Sequence, residues 1–242
     1  MKFHFIIIIF LFSNIANAQQ SIRVLYESRF KAPKSATKTE LLSVLYQPRL
    51  YQLTNNGNLS EFRSIEKKRK EETTQGKENR SDTIFLTTVG LDESICLKDF
   101  AENINYCKYR LSDRFVYVQD PFQNQQITYK ADVKKIDIYK CKLAESFDTI
   151  NSGLIKYWYT TDIPIVDGPL LYWVNLPGLI LHIDAPLVDY YAVKIEFIND
   201  ILPINKFPTS TRFISSIEFE QELNVDKLDD KKIKIMDGPP SK

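Results

Sequence analysis

Histidine is almost absent from this chain. There are two, His4 and His182, and no His-rich stretch. One histidine in the body of a protein cannot build a His-rich zinc site or a binuclear metal centre. Cysteine is also scarce: Cys96, Cys107 and Cys141. No C-x-x-C occurs among them, which removes zinc-ribbon and thioredoxin-type readings. There is no G-x-S-x-G, no glycine-rich phosphate loop and no internal repeat, so nucleophile-elbow and mononucleotide-binding signatures are missing. Neither sign of charge dominates. The formal net charge is +1, from 32 basic and 31 acidic residues. This gives no electrostatic case for nucleic acid or an anionic membrane as partner.

Long apolar runs are missing too. The longest, Phe5–Phe12, has eight residues, far short of the ~20 that span a bilayer. Its setting is informative. Lys2 precedes it and Ala16-Asn17-Ala18 follows, which is the three-part pattern of a secretory signal peptide. The sequence therefore predicts export and cleavage between Ala18 and Gln19, with residues 1–18 as the leader. The mature chain is expected to carry no transmembrane span and to reside in the periplasm, on the envelope or outside the cell. In such a compartment disulfides persist.

What remains reads as strands with turn punctuation. Residues 21–31 are rich in β-branched and aromatic side chains. Residues 41–54 and 59–65 flank Asn55-Asn56-Gly57-Asn58, a strong hairpin signal because Asn and Gly tolerate positive φ. Further strands are expected at 83–89, 105–111, 114–119, 125–131, 135–147, 154–161, 179–184 and 190–198. In the last of these Tyr191, Val193, Ile195 and Phe197 form one alternating set. Helix is expected at 211–223, with a short helical turn at 97–102. Residues 66–82 contain no apolar side chain and read as a solvated charged loop; 226–242 read as a flexible tail. The expected fold is one mainly β domain over 19–225. It would be a curved antiparallel sheet or open half-barrel with little helix.

The most specified stretch is 158–181. Here Pro164, Pro169 and Pro177 fix backbone φ, and Gly168 and Gly178 supply conformations that side chains disfavour. The patterns W-Y-x-x-D-I-P-x-x-x-G-P from Trp158 and N-L-P-G-L-I-L from Asn175 resemble the GLPGLI family of exported proteins from Bacteroidetes-type bacteria. Y-K-C-x-x-A at Tyr139–Ala144 and the Tyr51–Phe62 hairpin extend the resemblance. Asn175 stands where the family has Gly, and Asn is the residue that best replaces Gly in a left-handed turn. The resemblance implies an exported protein and brings no catalytic residues. Cys141 sits at a patterned position and the other two cysteines do not, so a disulfide, if one forms, is expected between Cys96 and Cys107.

The candidate chemistry is limited. His182 and Asp184 sit two apart on one strand, a side-by-side surface pair rather than the orienting pair of a triad. Cys141 with His182 is a possible nucleophilic pair, against a buried inert thiol. Asp162, Asp167, Asp184 and Asp189 would serve glycoside hydrolysis or hold Ca²⁺, against the plainer reading that they cap turns. The aromatic set Trp158, Tyr159, Tyr172, Trp173, Tyr190 and Tyr191 either lines a pocket or fills the core. Tyr172 and Trp173 are the ligand-binding candidates, and Trp158 is the core candidate. No cofactor or metal is expected. The leading expectation is a non-enzymatic β-scaffold that binds an apolar ligand, a peptide or an envelope partner. The alternatives are a hydrolase using carboxylates or Cys141, and a purely structural component of an envelope complex.

Overall fold

The computed structural model describes residues 21–31, 47–65, 89–111, 114–123, 125–148, 153–169 and 175–222. The expected leader with its Ala18/Gln19 boundary, the charged loop 66–82, the tail 226–242, and Tyr172 and Trp173 all lie outside the described residues.

Among the described residues eleven strands form one antiparallel sheet. They are β1 (Ser21–Phe30), β2 (Arg49–Asn55), β3 (Leu59–Ser64), β4 (Val89–Asp99), β5 (Ile104–Leu111) and β6 (Arg114–Pro121) in the first half. The second half holds β7 (Thr128–Ile136), β8 (Tyr139–Asp148), β9 (Gly153–Thr160), β10 (Leu179–Asp184) and β11 (Val188–Ile198). The spatial order is β6-β5-β4-β3-β2-β1-β11-β10-β9-β8-β7. Two meanders therefore meet at the β1/β11 pair.

This order dictates curvature. β6 and β7 are the two outer strands, so a flat sheet would hold them about 48 Å apart at ~4.8 Å per strand. Only residues 122–127 join them, and that link reaches at most about 25 Å. The sheet must curl until its edges approach, although β6 and β7 do not pair. The result is an open half-barrel, as the composition implied.

The inner face carries the main core. Tyr26, Tyr51, Leu53, Phe62, Tyr157, Ile183 and Tyr190 all lie there, buried. Tyr51 stacks on Phe62 with centroids 5.1 Å apart, and Tyr190 meets both edge-on. The chain after β9 folds over this floor and contributes Ile163 and Leu176, which pack with Ile180 of β10. The Tyr26 hydroxyl donates to the Ile180 carbonyl of β10 at 2.7 Å, and Ile180 N–H donates to Asp167 O of the cover at 2.9 Å. A second, smaller core of Leu111, Val116 and Val118 is closed by Ile214 and Phe219 from the C-terminal segment.

The edges are handled differently. Ile214 N–H donates to Tyr117 O and Gln119 N–H donates to Ile214 O, both at 2.9 Å, so the C-terminal segment covers the β6 edge. β7 is exposed along most of its length and carries Lys130, Asp132, Lys134 and Lys135, charges that discourage edge-to-edge pairing.

Four expectations need correction. Residues 97–102 are not helical: Leu97–Asp99 are the end of β4, and Phe100–Asn103 make the β4/β5 turn. The helix-like signal is Asp99, whose carboxylate accepts from Ala101 N–H and Glu102 N–H; in a hairpin turn the same acceptor serves the same purpose. Residues 135–147 are not one strand, because Asp137, at φ 51°, turns the chain between β7 and β8. In β11 the alternating set does not share one environment: Tyr191, Val193 and Phe197 are exposed and Ile195 is half-buried. A bulge against Leu25/Tyr26 breaks the alternation near Val193. The C-terminal helix starts at Ser216, later than the expected 211, because Ile214 is committed to the β6 edge.

Candidate functional site

The cover over the floor is pinned by a buried ion pair. Lys98 on β4 and Asp167 after β9 have side chains only 5% and 0% exposed, with Nζ and Oδ1 2.6 Å apart. Burying two charges is costly unless their remaining hydrogen-bond capacity is met. Here it is. Lys98 Nζ also donates to Gly168 O at 2.7 Å, Asn55 Nδ2 donates to Asp167 Oδ2 at 2.8 Å, and Gly168 N–H donates to Asp167 Oδ1 at 2.8 Å. Asp167 is thus more than a turn cap; it joins β2, β4 and the cover. Glycine is required twice beside it. A Cβ at Gly168 would lie 2.7 Å from Ile180 Cβ. Gly178 has φ 150°, and a Cβ there would meet Thr160 O at 1.9 Å. Pro169 is buried behind Gly168.

This pinning shapes a cavity at one end of the sheet. It has a volume of about 390 Å³. Asn55 and Gly57 come from the β2/β3 turn, Phe100 and Asn103 from the β4/β5 turn, and Phe122 from just after β6; Pro164–Val166 and Asn175 come from the cover. The walls brace one another. Phe100 N–H donates to Asn58 O at 3.1 Å, and Phe122 N–H donates to Asn103 O at 2.8 Å. Phe100 and Phe122 meet edge-on at 6.0 Å. Asn103 holds φ 57°, a left-handed conformation that Asn tolerates best among residues with a side chain. Among the described residues the lining is aromatic, aliphatic and amide, with no charged side chain. Such a surface suits a neutral ligand with an apolar face and amide or hydroxyl groups.

The opposite face of the sheet carries the other cluster. Trp158 alternates with the buried Tyr157 and Tyr159 and is half-buried, packed against residues of the main core. Lys134 Nζ lies 4.2 Å from the Trp158 ring centroid and 2.7 Å from His182 Nδ1. Lysine only donates, so the His182 ring proton sits on Nε2, which is buried and finds no partner among the described residues. The ring stacks on Tyr191 at 3.8 Å. Burial, reinforced by the Lys134 charge, pushes the His182 imidazole down to about 4. Burial also lowers Lys134.

The remaining candidates are placed plainly. Cys141, cross-strand partner of Lys134, is fully buried. Burial pushes its thiol up to about 11, the opposite of what a thiolate nucleophile needs. Asp184 and Asp189 both bind Lys31. Burial disfavours the Asp184 carboxylate, but the Lys31 bond outweighs it and holds the group below its ordinary value. Asp162 is exposed and accepts from Lys140 N–H at 3.3 Å. The structure does not gather these four carboxylates: Asp167 lies on the inner face and the Asp184/Asp189 pair on a lysine. Among the described residues no group of three His, Cys, Asp or Glu is placed to hold a metal ion. Cys96 and Cys107 are buried cross-strand partners in thiol form. Sequence reasoning missed Lys98, Phe100 and Phe122. The signal for the first was available, a lysine alternating with Cys96 on a strand, but the strand itself was read as helix.

Residues 93–217, half of the chain, match the family described as N-glycanase peptide, N-terminal domain. The chain belongs to this family. Among solved structures it resembles PNGF-II in its P21 crystal form, with TM-score 0.54 and 13% identity. It resembles the C2 form at TM-score 0.51 and 12% identity. Each likeness covers 84% of this chain and 32% of the PNGF-II chain; at such identity it concerns the fold alone. The chain spans about a third of the length of the solved structures it matches. No curated protein matches it.

Proposed function

We propose that this chain is an exported, non-catalytic binding module that holds a peptide or glycopeptide segment in the end cavity. The observation that carries the reading is the cavity itself. It is built from four stretches of chain that are braced to one another before any ligand arrives, and its lining is neutral, aromatic and amide-bearing. Preorganisation of this kind lowers the entropy cost of binding. The family description points to the same ligand class, since an N-glycanase acts at N-linked glycans on peptides. Export is supported by the leader pattern at residues 1–18 and by the resemblance of residues 158–181 to exported GLPGLI proteins. The non-catalytic part is supported by the separation of the carboxylates and by the buried, unactivated thiol of Cys141.

Calorimetric titration with a short extended peptide and its N-glycosylated counterpart tests the reading. Saturable binding is expected, with Phe122→Ala weakening it about tenfold while the melting temperature stays within a few degrees. The glycopeptide should be recovered intact by mass spectrometry. Equal affinity for wild type and Phe122→Ala, or release of the glycan, contradicts the proposal.

A further inference from the structure

Cys96 and Cys107 face each other directly across the β4/β5 ladder. Partners opposed in this way hold their Cα atoms about 4.5–5.5 Å apart, inside the ~4.4–6.8 Å range that a disulfide bridges. No other cysteine lies on β3, β4, β5 or β6, so each thiol has the other as its cross-strand cysteine partner. Both are buried on the inner face, where Phe62 on β3 is the neighbour of Cys96. Cys141 is no competitor. It lies on β8, and six strands separate β4 from β8 in the sheet. The hairpin that carries the two cysteines also supplies Phe100 and Asn103 to the cavity wall, and Lys98 to the buried ion pair.

We propose that Cys96 and Cys107 form a cross-strand disulfide, by exchange with a disulfide oxidant, and that this bridge braces the hairpin wall of the end cavity. In the first step one cysteine thiolate attacks a sulfur of the oxidant, RS–SR, and expels RS⁻, leaving a mixed disulfide on the protein. In the second step the other cysteine thiolate attacks the protein sulfur and expels the second RS⁻. Two protein thiols lose two protons and two electrons, and the oxidant leaves as two RSH. Desolvation raises the Cys96 thiol well above its ordinary value. The folded dithiol is therefore slow to react, and the bridge closes while the strands are open, during folding. The bracing part rests on the cavity reading; the bridge itself does not.

The test is a thiol count on the full chain. The protein is refolded in a mixture of oxidised and reduced glutathione, unfolded without reductant, alkylated and weighed. One alkylated cysteine, Cys141, is expected, against three after prior reduction, with the peptides of Cys96 and Cys107 linked. Cys141→Ser should then show none. Three alkylated cysteines after oxidative refolding, a bridge to Cys141, or two alkylated sites in Cys141→Ser would overturn the pairing. Hydrogen exchange separates the second part. Amides of residues 97–106 should exchange at least tenfold more slowly in the bridged form. Unchanged exchange in bridged protein overturns the bracing while leaving the bridge standing, and neither result depends on a ligand.

Discussion

Asp167 shows how one residue sets the site. Its carboxylate answers a lysine, an asparagine and a backbone amide from separate stretches of chain. Asp167→Asn leaves Lys98 charged, buried and short of its counter-ion, which costs about 3–5 kcal/mol. That is a large share of the ~5–15 kcal/mol that holds a domain folded. Urea unfolding should show the loss, and most of it should return in a Lys98→Met, Asp167→Leu double variant, where no charge is left buried. A single variant as stable as wild type would contradict the network. His182 makes a second prediction. Its folded-state imidazole titrates near 4, below the unfolded value of ~6.5, so the unfolded chain binds more protons between those limits. Stability therefore falls as pH drops from about 6.5 to 4 and is flat above. His182→Gln should flatten that slope in melting curves between pH 4 and 7; an unaltered slope assigns it to other groups. Sequence pattern exposed the glycines and prolines of 158–181 because their backbone demands are local. It did not expose Lys98 with Asp167, whose partnership spans 69 positions in the chain.

Elements were legible where the turn chemistry is local. Asn56-Gly57 between β2 and β3 is such a case, with Gly57 at φ 88° and the Asn56 side chain accepting from the amides of Asn58 and Leu59. They were misread where one residue type serves two structures. Asp99 looks like a helix cap and closes a hairpin; Lys135 and Ile136 look continuous with β8 until Asp137 turns. The bulge in β11 left no sequence mark at all, because Val193 is ordinary in either register. The C-terminal segment carries the element-scale prediction. Ile214→Pro removes the N–H that donates to Tyr117 O, and proline cannot replace it. The β6 edge would then be open to other chains. Light scattering should report concentration-dependent association that wild type lacks; a monomeric variant with an unchanged melting curve would show that the segment does not guard the edge.

At the scale of the molecule, strand order alone compels the curl, and the curl creates an inner face that needs a cover. The cover after β9 is held by the Lys98–Asp167 pair, by the Ile180 N–H bond to Asp167 O and by Gly178, which lets the chain pass against Thr160 O. A curved sheet was readable from hairpin spacing and scarce helix. The cavity was not, since its walls come from four turns that share no motif and meet only once the sheet has closed on itself. Two surfaces compete for function, the end cavity and the outer Lys134–Trp158–His182 cluster. Hydrogen exchange of the full chain with and without the N-glycosylated peptide decides between them. The account predicts slowed exchange at residues 100–103 and 164–168, with the strands around Lys134, Trp158 and His182 unchanged. Slowed exchange at that outer cluster, with the cavity turns unaffected, would contradict it.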